Sequence, residues 1–131
     1  IPHLPPPIQS LSASSVSIRY DSLTHNRGGL VVQVAKIISH EGYNSQTLDN
    51  DIALIQTATP MTLGQTNSNK IELPAQDSDV TTGTVDVSGW GYTKEGSGVL
   101  PSQLQIVNVP VVGRADCNSA YGGDITINMF W

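Results

Sequence analysis

Asp49-Asn50-Asp51-Ile52-Ala53-Leu54-Ile55 sets two acids around one asparagine and then runs through four apolar residues before Gln56. A continuous apolar run of that length is the pattern of a strand buried on both faces. A carboxylate at the mouth of a buried strand is costly unless a hydrogen bond or an opposite charge compensates it. Asp51 is therefore expected to have a partner. Read in isolation, it fits better a turn-forming acid bonded to nearby backbone amides.

Outward from this run, the β pattern repeats. Ser17-Ile18-Arg19-Tyr20 and Val31-Val32-Gln33-Val34-Ala35-Lys36-Ile37-Ile38 are rich in β-branched residues and flank a polar segment closed by Gly28-Gly29, so two strands joined by a loop are expected. Thr84-Val85-Asp86-Val87-Ser88 alternates as a half-buried strand does. Leu104 to Val112 reads as a further strand, with Val107, Val109 and Val111 on one face and Pro110 marking an edge. His40-Glu41-Gly42-Tyr43-Asn44 makes a surface turn. Residues 60–70 and 73–83 have the Ser, Thr, Asn, Asp and Gly content of a surface connector, and 92–101 that of an exposed loop. The one expected helix covers 113–121 and ends at Gly122-Gly123, which supply a left-handed cap. The proline cluster of residues 1–12 offers too few backbone donors for a central strand and is read as irregular.

Val, Ile, Thr and Ser are plentiful, and the composition favours an all-β chain. With a formal net charge of -5 and six basic residues, the chain lacks the clustered Lys and Arg of a nucleic-acid footprint. No apolar run reaches the ~18 residues of a membrane-spanning helix, and the first residues lack a basic-then-apolar leader. No pair of His or Cys has metal-ligand spacing. Neither cofactor nor metal is expected.

The segment from Asn44 through Asp51 to Ile55 resembles the aspartate-bearing strand of trypsin-like serine proteases, and Val87-Ser88-Gly89-Trp90-Gly91-Tyr92 resembles the Ser-Gly-Trp-Gly element of the same family. The distance between the two anchors is also that of the family. Residues from about 14 to 130 most resemble the digestive trypsins of mites, known as group 3 mite allergens. The resemblance implies part of a double antiparallel β-barrel: residues 1–12 irregular, 13–73 the later part of the first barrel and the connector, and 74–131 the early part of the second. At 131 residues the chain is short for a fold that occupies more than ~200 residues as one unit.

In this family a serine hydroxyl attacks the peptide carbonyl, a histidine takes its proton, and a buried aspartate fixes the tautomer and stabilises the imidazolium. The resemblance assigns that aspartate to Asp51, the one catalytic residue expected here. Asp49 is read as a solvated turn acid, and His40 and His25 as surface histidines. His3, in Pro-His-Leu-Pro, lacks the small residues that flank the family's histidine. Of fourteen serines, none lies in Gly-Asp-Ser-Gly or Gly-x-Ser-x-Gly. Ser88 and Trp90 are read as structural.

The family's Ile-Val-Gly-Gly start, its Thr-Ala-Ala-His-Cys histidine segment and its Gly-Asp-Ser-Gly-Gly-Pro nucleophile segment are not found. Ile1 is not read as an activation terminus. Codons for Pro5-Pro6-Pro7-Ile8, shifted by one base, are compatible with Thr-Ala-Ala-His, and an independent read of the coding DNA decides between the two frames. The loop that binds calcium in vertebrate trypsins matches 21–29, which has too few hard oxygen ligands. The cysteine matching Cys117 pairs, in the family, with one after an Asn-Met-Ile or Asn-Met-Phe segment; here Asn128-Met129-Phe130 is followed by Trp131. Cys117 is expected to be a free thiol, or else simply a small buried hydrophobe. Lys94 lies in the loop matching a self-cleavage site.

The expected function is that of a fragment of a secreted serine endopeptidase cutting after Lys or Arg, inactive as this chain alone. Its partners would be protein or peptide substrates of the full-length enzyme, and antibodies if it is an allergen. The alternative is a non-catalytic homologue that binds through surface loops. The losses lie at the ends while both anchors are intact, which favours a piece of a real protease over decay.

Overall fold

The β-branched runs pair as their pattern requires. A computed structural model describes residues 11–129 of the chain. β1 (Ser17–Tyr20), β2 (Leu30–Ser39) and β3 (Ala53–Thr57) form an antiparallel sheet in the order β1-β2-β3. β4 (Thr84–Gly89) and β5 (Gln105–Pro110) form a two-stranded antiparallel sheet, and α1 (Arg114–Ala120) follows it. Mostly strands with one short α-helix is the fold class expected from the sequence. The helix stops at the glycine pair: Gly122 takes φ 72°, and the Gly123 N–H returns to the Asn118 carbonyl at 2.9 Å, the six-to-one bond of a Schellman cap.

A bulge in β2 decides which side chains face inward. Val32 and Val34 are 6% and 3% exposed and share one face; strict alternation would put Lys36 there next. The ladder to β3 shifts between Val34 and Lys36, so Ile37 pairs with Ile55 while Lys36 turns outward. Ile18 opposite Val32, and Thr57 opposite Val34, complete the covered face.

Two expectations change here. The apolar run of β3 is not buried on both faces: Ile52 is 63% and Leu54 67% exposed. Among the described residues β3 is an edge strand bonded only to β2, and no layer covers its outer face. The last strand is also shorter than its apolar pattern, ending at Pro110, so Val111 lies outside it. Pro110 pairs opposite Thr84 at the end of the ladder, where a missing N–H costs little.

The connector, 58–83, has no helix or strand, and three side chains from outside it hold it in place. The Tyr20 hydroxyl accepts the Thr62 N–H at 3.3 Å, Asp21 Oδ1 accepts the Asn67 N–H at 2.7 Å, and Arg114 Nη2 donates to Asp79 Oδ2 at 2.9 Å. The two sheets meet at the β1–β2 loop. The Leu104 N–H donates to the Leu23 carbonyl at 2.7 Å, and so does Trp90 Nε1–H at 3.2 Å. Trp90 thus has the structural place expected of it, as a cross-link between sheets. Residues 1–10, including His3 and the proline cluster, and residues 130–131 lie outside the described residues.

Gly29 is required where it stands. It has φ 59°, and a Cβ there would overlap the Tyr20 carbonyl oxygen and come within 2.9 Å of the Asp21 carbonyl. Gly29→Ala in the full-length protein is expected to lose about 2 kcal/mol or more, from the left-handed conformation and the backbone overlap together. Urea titration of the two proteins side by side measures it, and equal midpoints would show that the loop relaxes freely.

Candidate active site

Asp51 sits at the entrance to β3, and its backbone is fixed on both sides. The Ile52 N–H donates back to the Asn50 carbonyl at 2.8 Å, closing a three-residue turn with Asp51 at its centre, a common device where strands begin. On the strand side, the His40 N–H reaches the Ile52 carbonyl at 3.0 Å and extends the β2–β3 ladder by one bond. On the loop side, Asn50 Nδ2 donates to the Gly42 carbonyl at 3.1 Å.

That carboxylate has no side-chain hydrogen bond among the described residues, and Asp51 is exposed. The partner expected for a buried acid is therefore not among residues 11–129. The expectation rested on a two-sided buried strand, and an exposed edge strand imposes no desolvation cost on the acid.

Asp49 has the contacts that Asp51 lacks. Its half-buried carboxylate accepts from the Thr126 hydroxyl, from Asn128 Nδ2 at 3.1 Å and from Asn50 Nδ2 at 3.3 Å. These bonds hold its pKa below the ordinary 3.8, the Thr126 hydroxyl most, then the Asn128 amide, against a small opposing effect of burial. Asp49 is thus not the solvated turn acid the sequence suggested. Its donors are 77 and 79 residues away, where no local pattern of turn residues could reveal them.

The other candidates stay apart. His40 is exposed, and its Nδ1 accepts the Gly42 N–H at 3.0 Å, so the neutral ring carries its proton on Nε2. His25 is exposed in the β1–β2 loop, as is Lys94 in the 92–101 loop. Ser88 lies within β4. Cys117, in α1, is free and 5% exposed. Among the described residues, no three His, Cys, Asp or Glu side chains converge as a metal site would need.

The trypsin family model matches residues 9–131. The chain belongs to the trypsin family. Trypsin Blo t 3 of Blomia tropicalis is 54% identical over 127 residues, which are 94% of this chain and 48% of that protein. Trypsin Tyr p 3.0101 of Tyrophagus putrescentiae is 43% identical over 117 residues, 88% of this chain and 41% of that protein. A crystal structure of the scabies mite inactivated protease paralogue S-D1 superposes with a TM-score of 0.82 at 32% identity, covering 88% of this chain and 51% of that one. The resemblance to mite trypsins and the trypsin-like fold are thereby borne out. The chain spans about half the length of the curated relatives it matches.

Proposed function

We propose that these residues are the middle of a secreted trypsin-like serine endopeptidase that cleaves after Lys or Arg through an acyl-enzyme, with Asp51 as the acid that orients the catalytic histidine. The reading is carried by one observation: within the matched segment, Asp51 sits exposed in a closed turn at the start of a strand, its carboxylate without a hydrogen bond among the described residues. A histidine whose Nδ1–H met that carboxylate would be held in one tautomer, and its imidazolium would be stabilised as a serine gave up its proton. The acid can neither attack nor relay a proton by itself. Residues 13–73 would belong to the first barrel with the connector, and 74–131 to the second.

The 131-residue polypeptide produced alone is expected to hydrolyse nothing. A purified sample that cleaved a Lys or Arg ester, and stopped after treatment with a serine-directed phosphonate, would refute this. The full-length protein is expected to show both behaviours.

A second reading has an observation of its own. The solved relative at TM-score 0.82 is described as an inactivated protease paralogue, so this fold persists where the name denies activity. On that reading the chain would bind through exposed loops such as 92–101, antibodies included. Sequencing the transcript beyond both ends discriminates the two. A histidine segment upstream and Gly-Asp-Ser-Gly-Gly-Pro downstream support the protease; their absence from the complete frame supports the binder.

A further inference from the structure

Asp51 would have to be held to a fraction of an ångström for the role proposed above, yet its own side chain bonds to nothing among the described residues. What positions it is the backbone on either side. On the strand side this is the β2–β3 ladder. On the other side are Leu48, Asp49 and Asn50, and both Leu48 and Asn50 are left-handed, at φ 58° and 54°. Asparagine tolerates that region, but leucine does so at a cost of about 1–2 kcal/mol. A conformation of this kind persists only where surrounding bonds over-determine it.

Those bonds converge on Asp49. Its carbonyl accepts the Asn44 N–H at 3.0 Å, fixing the far side of the turn. Its carboxylate takes the Thr126 hydroxyl and the Asn128 amide, and also the Asn50 amide that itself reaches the Gly42 carbonyl. Thr126 and Asn128 are not a loose tail. The Thr126 hydroxyl also accepts the Asn128 N–H at 3.2 Å, and the Ile125 N–H donates to Asn118 Oδ1 at 2.9 Å, which ties the segment to α1. A continuous path of hydrogen bonds and short backbone links therefore runs from the helix after the second sheet to the residue two before Asp51.

We infer that Asp49 is a positioning residue: by binding Thr126 and Asn128 it registers the turn that presents Asp51 against the part of the chain that follows β5. The inference rests on the reading of Asp51 as the triad acid. In a trypsin-like enzyme the acid and the nucleophile come from stretches far apart in the chain, so a clamp from the acid's turn onto the segment after α1 fixes where the acid sits relative to the later part of the fold. Misplacement by about 1 Å at such a centre costs on the order of 100-fold in rate.

The test uses the full-length protein and a Lys-ester substrate. Asp49→Ala is expected to lower kcat about 10- to 100-fold with KM changed less than about twofold. It is also expected to move the acid limb of the kcat/KM profile to lower pH, because a displaced Asp51 anion stabilises the imidazolium less. Asp49→Asn, which keeps an acceptor oxygen for Thr126, is expected to recover much of kcat. Thr126→Val, which leaves the loop sequence untouched, is expected to give a smaller shift of the acid limb in the same direction, and it serves if Asp49→Ala does not fold. Unchanged kcat and an unmoved acid limb in a folded Asp49→Ala or Thr126→Val protein would overturn the inference, even if the melting temperature fell. Full activity of Asp51→Asn would instead overturn the triad reading beneath it.

Discussion

Asp51→Asn in the full-length protein is expected to reduce kcat by about four orders of magnitude while leaving KM and the melting temperature close to those of the parent; the size of the rate effect is the one this substitution has in the well-studied triad of the same family. The structure explains why the fold should be indifferent. The Asp51 side chain is exposed and unbonded among the described residues, and the turn around it is closed by main-chain groups that an asparagine also has. Asn is nearly isosteric with Asp, so neither the turn nor the β2–β3 ladder has reason to move. What changes is charge and donor pattern. An amide has no negative charge to hold an imidazolium, and its NH2 can face the histidine ring, favouring the tautomer that cannot accept the serine proton. The decisive comparison is pre-steady-state acylation rate against thermal unfolding for the two proteins. A drop of less than tenfold in acylation, with the fold intact, would remove Asp51 from the triad.

The sequence made the strands legible because they obey a period. β1, β2 and β4 appear where alternating or β-branched residues occur, and α1 ends where two glycines permit it. The bulge in β2 was not legible, because Val34-Ala35-Lys36 carries no glycine or other mark of a shift in register. It emerges from a competition that only the paired structure shows: the ladder gives way so that Ile37 rather than Lys36 continues the covered face. The exposure of β3 is not legible in the sequence for a related reason. An apolar run reports what a strand is built to be covered by, and nothing among the described residues supplies that cover. Asp51 could be singled out because it sits in a contiguous motif. Asp49 could not, since its role depends on Thr126 and Asn128, which only folding brings near.

The 131-residue polypeptide produced alone is expected to unfold over a broad range, with a urea m-value well below the ~1–3 kcal/mol/M of small two-state proteins, whereas the full-length protein melts sharply. Among the described residues the buried apolar side chains are Val32, Val34 and Cys117, and no large side chain is fully covered. Cooperativity depends on burying apolar surface to offset the entropy of ordering each residue, about 1–2 kcal/mol for the backbone alone. Here Leu54 on β3 and Ile106 on β5 are 67% and 70% exposed, and the bonds that tie the two halves together among the described residues are hydrogen bonds at the β1–β2 loop, at Asp49 and at Arg114. Hydrogen bonds open to solvent contribute only about 1 kcal/mol each, since water competes for the same groups. Among the described residues the edge strands β3 and β1 also present unpaired backbone groups, a template for association between copies. Binding of a hydrophobic dye at low temperature, together with a concentration-dependent sedimentation profile, is the expected companion of the broad transition. A sharp two-state melt of a sedimenting monomer would contradict this. It would mean that the bonds through Trp90, Asp49 and Arg114 suffice to bind the two sheets into one cooperative unit.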